Sequence, residues 1–316
     1  IDEKSIGVGQ RTIMDRQVGV FSSSHERSHL LCAFGMSGLA KGTPCYALIW
    51  EGVIGAFYEI DADFTITQIG RPMTHPGSRY AFAYGLADPT FDKSADESRI
   101  TDAGKLMALA SFARPRDATP EEERLLTFLL AGPKPQLDRY DGSIETAPHY
   151  NVGVEDPDFR DFAGILSDRI FDTFHAFACK HMPMRLPLLI AGGCGLNCDW
   201  NSRWRTSGLF PEVFVPPVAN DSGSAIGTAI DAQRHFTGDP TIRWDVYAGE
   251  AFRTDTPFDP APFEIFDADA ARVADLLAND LILGWVHGRW EIGPRALGNR
   301  SILAAPFTHA TRIRLN

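Results

Sequence analysis

The spacing of apolar and polar residues divides the chain into alternating strand-like and helix-like stretches. Residues 17–21 alternate as a short strand. Ser22, Ser23 and Ser24 then offer hydroxyl caps to a helix expected over residues 25–34, with Gly35 and Gly42 marking its exit. Residues 45–50 and 55–60 read as two strands joined by the hairpin Glu51-Gly52-Val53-Ile54. A helix is expected over residues 100–112, followed from 113 to 156 by a Pro-, Asp-, Glu- and Gly-rich surface insertion holding one short amphipathic helix at 121–130. Phe162, Leu166, Ile170, Phe174 and Phe177 recur at helical spacing, so residues 158–180 form an amphipathic helix whose aromatic stripe faces the core. Residues 186–190 make a buried strand that ends in the turn Gly192-Gly193. A helix through Trp200 and Trp204, a strand at 213–215 and a helix at about 221–236 follow. Beyond the Asp-, Pro- and Thr-rich stretch 238–262, a helix at 270–277 and strands at 281–286 and from Ser301 complete the pattern. Strands alternating with helices predict an α/β layered architecture, with a domain boundary near residue 258.

Composition narrows this picture by exclusion. The 316 residues suit one large domain or two modest ones, and 44% hydrophobic with 22% charged residues is an ordinary globular balance. A net charge of −11 argues against nucleic acid as a partner, since such binders carry basic surfaces. No apolar run approaches the roughly 20 residues needed to span a bilayer, and no signal-peptide pattern opens the chain, so neither membrane insertion nor export is expected. The five cysteines read as reduced, buried thiols of a cytoplasmic protein.

Four segments carry candidate chemistry. His25-Glu26-Arg27-Ser28-His29 spells H-E-x-x-H, and two histidines four apart on a helix share a face and can reach one metal ion. The same letters mark zinc metalloproteases, in which the Glu is the general base. Here, however, the pair sits at the tip of a helix straight after a strand, and no H-x-x-G-x-x-H extension follows. Glu51 lies downstream, but in a strand-turn rather than on a second helix. Gly192-Gly193-Cys194-Gly195-Leu196-Asn197 is a glycine turn between strand and helix that lets backbone approach a ligand; it is neither a Walker loop nor G-x-G-x-x-G. Asp221, in the small-residue loop Asn220-Asp221-Ser222-Gly223, either only caps a helix or completes a His-His-Asp metal set with open positions. Finally, Arg289, Arg295 and Arg300 crowd a glycine-broken loop of an acidic chain and read as an oxyanion pocket.

Taken in order, the H-x-x-x-H helix, Gly104-Lys105-Leu106-Met107-Ala108-Leu109-Ala110, the Gly192 turn, the Asp221 loop and Gly293-Pro294-Arg295-Ala296-Leu297-Gly298-Asn299-Arg300 resemble the O-carbamoyltransferases of antibiotic and nodulation-factor biosynthesis. The resemblance implies a larger part of actin-like ATPase type, similar to the tRNA threonylcarbamoyl-transferase fold, over residues 1–257. It implies the start of a smaller α+β part similar to threonylcarbamoyl-AMP synthase over 258–316. Carbamoyl phosphate and ATP, with Mg, would form carbamoyl-adenylate in the smaller part; a hydroxyl of a small-molecule acceptor would take the carbamoyl group in the larger part. By motif, His25, His29 and Asp221 would hold a divalent metal, expected to be Fe(II), and form the catalytic set. Gly192, Gly193, Asn197 and Lys105 would bind the adenylate, and Arg295, Asn299, Arg300 and Arg289 the phosphates of carbamoyl phosphate or ATP. A homo-oligomer would be compatible with the family.

Three departures stand out. Glu26 replaces a histidine usual in the family. The family's D-G-x-G hairpin reads Glu51-Gly52-Val53-Ile54-Gly55 here. The first strand with its phosphate loop is expected before Ile1, and the rest of the synthase-like part after Asn316. Two other functions compete: a zinc metallohydrolase with Glu26 as base, and an actin-like ATP-binding regulatory module without transfer activity.

Overall fold

The computed structural model describes residues 5–92, 99–132, 144–253 and 259–315. The chain forms two compact units, Ile1–Ile242 and Arg243–Asn316. The boundary expected near residue 258 lies outside the described residues.

In the first unit, a hairpin of β1 (Ile6–Ile13) and β2 (Arg16–Ser23) leads into helix α1 (His25–Met36). Ser24 caps α1, its Oγ accepting from the Arg27 amide. The helix runs two residues past the expected end: Gly35 does not stop it but serves packing, lying against Ile230 and the Pro240 carbonyl where a side chain would not fit.

A five-stranded sheet follows, in the order β5-β4-β3-β6-β7. Its strands are β3 (Cys45–Trp50), β4 (Gly55–Ile60), β5 (Ile66–Gly70), β6 (Leu188–Ala191) and β7 (Val213–Phe214). The first three form an antiparallel meander; β6 joins β3 in parallel and β7 joins β6 in parallel. Both faces are covered, which is why β3 reads as a continuous apolar run rather than an alternation. Tyr46, Leu48 and Trp50 point into one core and Cys45, Ala47 and Ile49 into the other.

The first core is closed by α2 (Pro76–Ala87), α3 (Thr101–Ala110), α4 (Pro120–Leu130), α5 (Pro157–His181) and α6 (Cys198–Thr206). The Phe162, Leu166, Ile170 and Phe174 stripe of α5 is fully buried there, and Trp50 stacks on Trp200 with ring centroids 4.2 Å apart. The second core lies between the sheet, α1 and α7 (Ser224–Thr237). Of the insertion expected at 113–156, α4 is present with a full capping box at Thr119 and Glu122; residues 133–143 lie outside the described residues.

The cysteines divide differently from expectation. Cys32 and Cys45 are buried and Cys194 is half-buried, but Cys179 and Cys198 are exposed on α5 and α6. No helix among the described residues is long and apolar enough to cross a membrane.

The second unit holds α8 (Ala270–Ala278), an antiparallel pair of β8 (Leu283–Val286) and β9 (Arg300–Leu303), and α9 (His309–Leu315). No side chain of α8 is buried.

Candidate metal centre and arginine loop

Helix α1 presents His25 and His29 on one face, with ring centroids 4.7 Å apart. Two other pieces of chain each bring a carboxylate to them. Glu51 follows the last residue of β3, and its Oε2 lies 3.0 Å from His25 Nε2 and 3.2 Å from His29 Nε2. Asp221 opens the single turn before α7, and its Oδ1 lies 3.3 Å from His29 Nε2 and 3.9 Å from His25 Nε2. One ligand atom from each of the four residues falls within 4.8 Å of all the others.

This donor set fits a divalent cation. His29 is almost fully buried, and its Nε2 faces two carboxylate oxygens without making a hydrogen bond of acceptable geometry to either. A buried nitrogen left in that state is costly unless something satisfies it. A cation ligated by Nε2 and both carboxylates would do so, and two imidazoles with two carboxylates suit several divalent metals. Burial pushes the Glu51 carboxyl up, but the two imidazoles outweigh this and hold it below its ordinary value.

The placement of the four donors follows from packing between main chains. Gly192, at the exit of β6, has φ 95°, a region glycine adopts without penalty, and a Cβ there would meet the Trp50 carbonyl oxygen at 2.4 Å. Its amide donates to the Ala219 carbonyl at 2.6 Å. One glycine therefore touches the residue before Glu51 and a residue two before Asp221. At the crossing of α1 and α7, a Cβ on Gly227 would lie 1.8 Å from the Ser28 carbonyl oxygen. The same crossing is locked by Arg27, whose Nε and Nη2 donate to Asp231 Oδ2 and Oδ1 at 2.6 and 2.8 Å, both side chains being buried.

Glu26 takes no part in this cluster. Its Oε1 accepts hydrogen bonds from the Tyr58 hydroxyl at 2.9 Å and from Arg71. This is a structural engagement that a hydrolytic general base would have to give up.

Around the Gly192 turn, Asn197 is buried and caps α6, its Oδ1 accepting from the Asp199 and Trp200 amides at 3.1 Å each. It also borders a cleft of about 420 Å³ lined by Met107, Ser111, Arg114, Arg116, Trp200 and Arg203 among others. Lys105 is not on that lining. Its Nζ pairs with the buried Asp102 at 2.8 Å and lies 5.3 Å from the Tyr84 ring centroid.

In the second unit, the four candidate phosphate ligands differ sharply. Arg289 donates to the Gly249 and Ala248 carbonyls, at 2.8 and 3.0 Å. Asn299 Nδ2 donates to the Arg289 carbonyl at 2.8 Å, and Arg300 pairs with Glu291 at 2.5 Å. Arg295 is exposed and makes no side-chain hydrogen bond or ion pair to any described residue.

Two residues of consequence were not among the sequence candidates. Glu51 lies in a strand-turn, where the sequence gives no second ligand helix; its available signal is an acid closing a wholly apolar strand. Glu291 gave no signal beyond its place between the arginines.

Residues 164–230 match the family model for the carbamoyltransferase N-terminus, and residues 274–316 that for the carbamoyltransferase C-terminus. The 3'-hydroxymethylcephem-O-carbamoyltransferase of Streptomyces clavuligerus is 48% identical over 306 residues, covering 95% of this chain and 58% of that protein. The enzyme of the same name from Amycolatopsis lactamdurans is also 48% identical, over 305 residues, with the same coverage. Nodulation protein U of Rhizobium tropici is 35% identical over 329 residues, covering 96% of this chain and 55% of that protein. The chain thus spans a little over half the length of these curated relatives.

Proposed function

We propose that this chain, a member of the carbamoyltransferase family, is the greater part of an ATP-dependent O-carbamoyltransferase that modifies a hydroxyl of a secondary metabolite. The observation that carries the reading is the convergence of His25, His29, Glu51 and Asp221 in a chain so similar to named O-carbamoyltransferases. The actin-like assignment of the larger part is supported by the sheet order. A three-stranded antiparallel meander is extended by two parallel strands on the far side of its first strand. Expression in the cytoplasm accords with the free cysteines and the need for ATP.

In this reading water cleaves carbamoyl phosphate to carbamate and phosphate, and a carbamate oxygen then attacks the α-phosphorus of ATP, supplied with Mg, so that carbamoyl-adenylate forms and diphosphate leaves. Arg295 holds the phosphate-bearing substrate from a loop that Arg289, Asn299 and Arg300 shape. Gly192 and Gly193 let the backbone approach the adenylate, Asn197 fixes the start of α6 beside it, and Lys105 stands near the nucleotide. The acceptor oxygen then attacks the carbamoyl carbon, the bond from that carbon to the AMP phosphate oxygen breaks, and the acceptor proton passes to a base. His25, His29 and Asp221, with Glu51 as a fourth ligand, would hold a divalent cation, with Fe(II) the expected ion. Such an ion, when bound, supplies Lewis-acid polarisation of the carbonyl and compensates charge on the departing phosphate. His29 and Glu51 are buried, so they orient the cluster; the exposed Asp221 faces the side from which acceptor arrives.

The test uses full-length protein with ATP, carbamoyl phosphate, Fe(II) and 3'-hydroxymethylcephem as the probe acceptor. Acceptor-dependent AMP release is expected, and His29→Ala should abolish it together with bound metal while leaving acceptor-independent diphosphate release. Absence of AMP release with this and other hydroxylated acceptors would overturn the proposal.

A further inference from the structure

The loop between β8 and β9 closes on one carboxylate. The Glu291 side chain is 0% exposed, yet it carries charge. Its Oε1 accepts the backbone N–H groups of Leu297, Asn299 and Arg300 at 3.0, 2.7 and 3.0 Å. Its Oε2 accepts Arg300 Nε at 2.5 Å, and Arg300 Nη2 reaches the Glu291 carbonyl. The Arg300 guanidinium also lies over the Trp290 ring, 4.7 Å from its centroid. Burial pushes the Glu291 carboxyl up, but Arg300 and the three amides outweigh it and bring the pKa down to about 2.

Three converging amides and a guanidinium are the groups with which a loop of this kind would bind an external anion. Here they are already filled from within. Arg289 and Asn299 are likewise turned toward main-chain carbonyls. Arg295 alone of the four candidates stands free of the described residues. It sits between Gly293 and Gly298, whose φ angles of 110° and 107° bend the chain on either side of it.

We infer that Glu291 is the positioning residue of this loop: by occupying the amides and holding Arg300 from inside, it leaves Arg295 as the loop's contact to the phosphate-bearing substrate. The inference rests on the carbamoyl phosphate reading above. It differs from a picture of three equivalent arginines, because Arg300 and Arg289 shape the loop and do not touch ligand.

The test measures carbamoyl-phosphate-dependent diphosphate release by the full-length protein, alongside amide hydrogen exchange at residues 297, 299 and 300. Arg295→Ala should raise the KM for carbamoyl phosphate at least tenfold with exchange unchanged. Glu291→Gln should raise that KM several-fold, leave kcat within about twofold and accelerate exchange at the three amides. Arg300→Ala should reproduce Glu291→Gln, and the double variant should be no worse than either alone, as expected of two residues acting as a unit. A Glu291→Gln protein with faster exchange but unchanged KM would reduce Glu291 to a structural clamp and overturn the inference. An Arg300→Ala protein with the KM defect of Arg295→Ala and unchanged exchange would overturn it as well. If Glu291→Gln does not fold, the contrast between Arg295→Ala and Arg300→Ala still decides. If the wild-type protein releases no diphosphate, the reaction proposed above fails instead; titration calorimetry with inorganic diphosphate on the same variants then tests the loop by itself.

Discussion

Around His29 geometry is fixed by main chain packed against main chain, whereas around Arg295 it is fixed by hydrogen bonds to a single carboxylate. The four-donor cluster sits at the end of a sheet buried on both faces, with a glycine at each close approach. The arginine loop belongs to a unit whose helix α8 buries no side chain, and Glu291 ties three of the loop's amides and Arg300 together. Apolar packing carries no titratable group and is intolerant of added volume. A polar clasp tolerates volume at its rim but depends on every partner being present. The two candidate sites should therefore fail in different ways.

The largest effect is expected from the buried Arg27–Asp231 pair at the crossing of α1 and α7. Asp231→Ala leaves Arg27 buried and unpaired, so the first unit should lose about 3–5 kcal/mol, read by denaturant unfolding. Metal content should fall with it, because Arg27 and Asp231 join the helix bearing the histidines to the helix that Asp221 precedes. Retention of full stability would break the comparison. Next comes Gly227→Ala. The added methyl must push α7 off the Ser28 carbonyl, at a cost toward the upper end of the 1–3 kcal/mol typical of overpacking, with weakened metal binding in a dialysis assay.

A smaller and pH-dependent effect sharpens the same contrast within the first unit. Burial raises the Glu122 carboxyl, but Arg116, the Thr119 amide and His149 outweigh it and bring its pKa down to about 2. The unfolded value is about 4.3. A depressed folded pKa stabilises the protein above the unfolded value, and this contribution is lost as pH falls through the folded one. Glu122→Gln should therefore flatten the stability profile between about pH 4.3 and 2, while leaving metal affinity at neutral pH unchanged. The smallest effect is expected at Glu26. Its pair with Arg71 is partly exposed, so Glu26→Gln should cost at most about 1 kcal/mol. It should keep both metal and transfer activity; loss of activity with metal retained would revive the hydrolase reading.

Much of the first unit could be read from the sequence where one periodicity dominates. The Phe162 to Phe174 stripe gave α5, and the apolar runs on either side of Glu51-Gly52 gave β3 and β4 with their hairpin. Helix α2 was not legible because nearly all of its residues are buried, which removes the amphipathic alternation on which such a reading depends. Strand β1 was missed because its glycine-spaced, mostly exposed residues carry no core-facing pattern. The histidine pair was visible as local spacing on one helix. Glu51 was not, because only the register that sets the end of β3 beside α1 brings it there. The three arginines looked equivalent as letters, and only the path of the loop around Glu291 separates the free one from the two engaged in structure.

The contact between Gly227 and Ser28 has a further consequence. Because the two helices meet through peptide groups, the span between the imidazole pair and Asp221 is set by a ruler that amino-acid exchange elsewhere in the interface cannot lengthen or shorten. Variation around it can change how firmly the helices hold, not how far apart they stand. Discrimination among cations of equal charge would then arise from which donor atoms surround the ion rather than from the width of the opening between them.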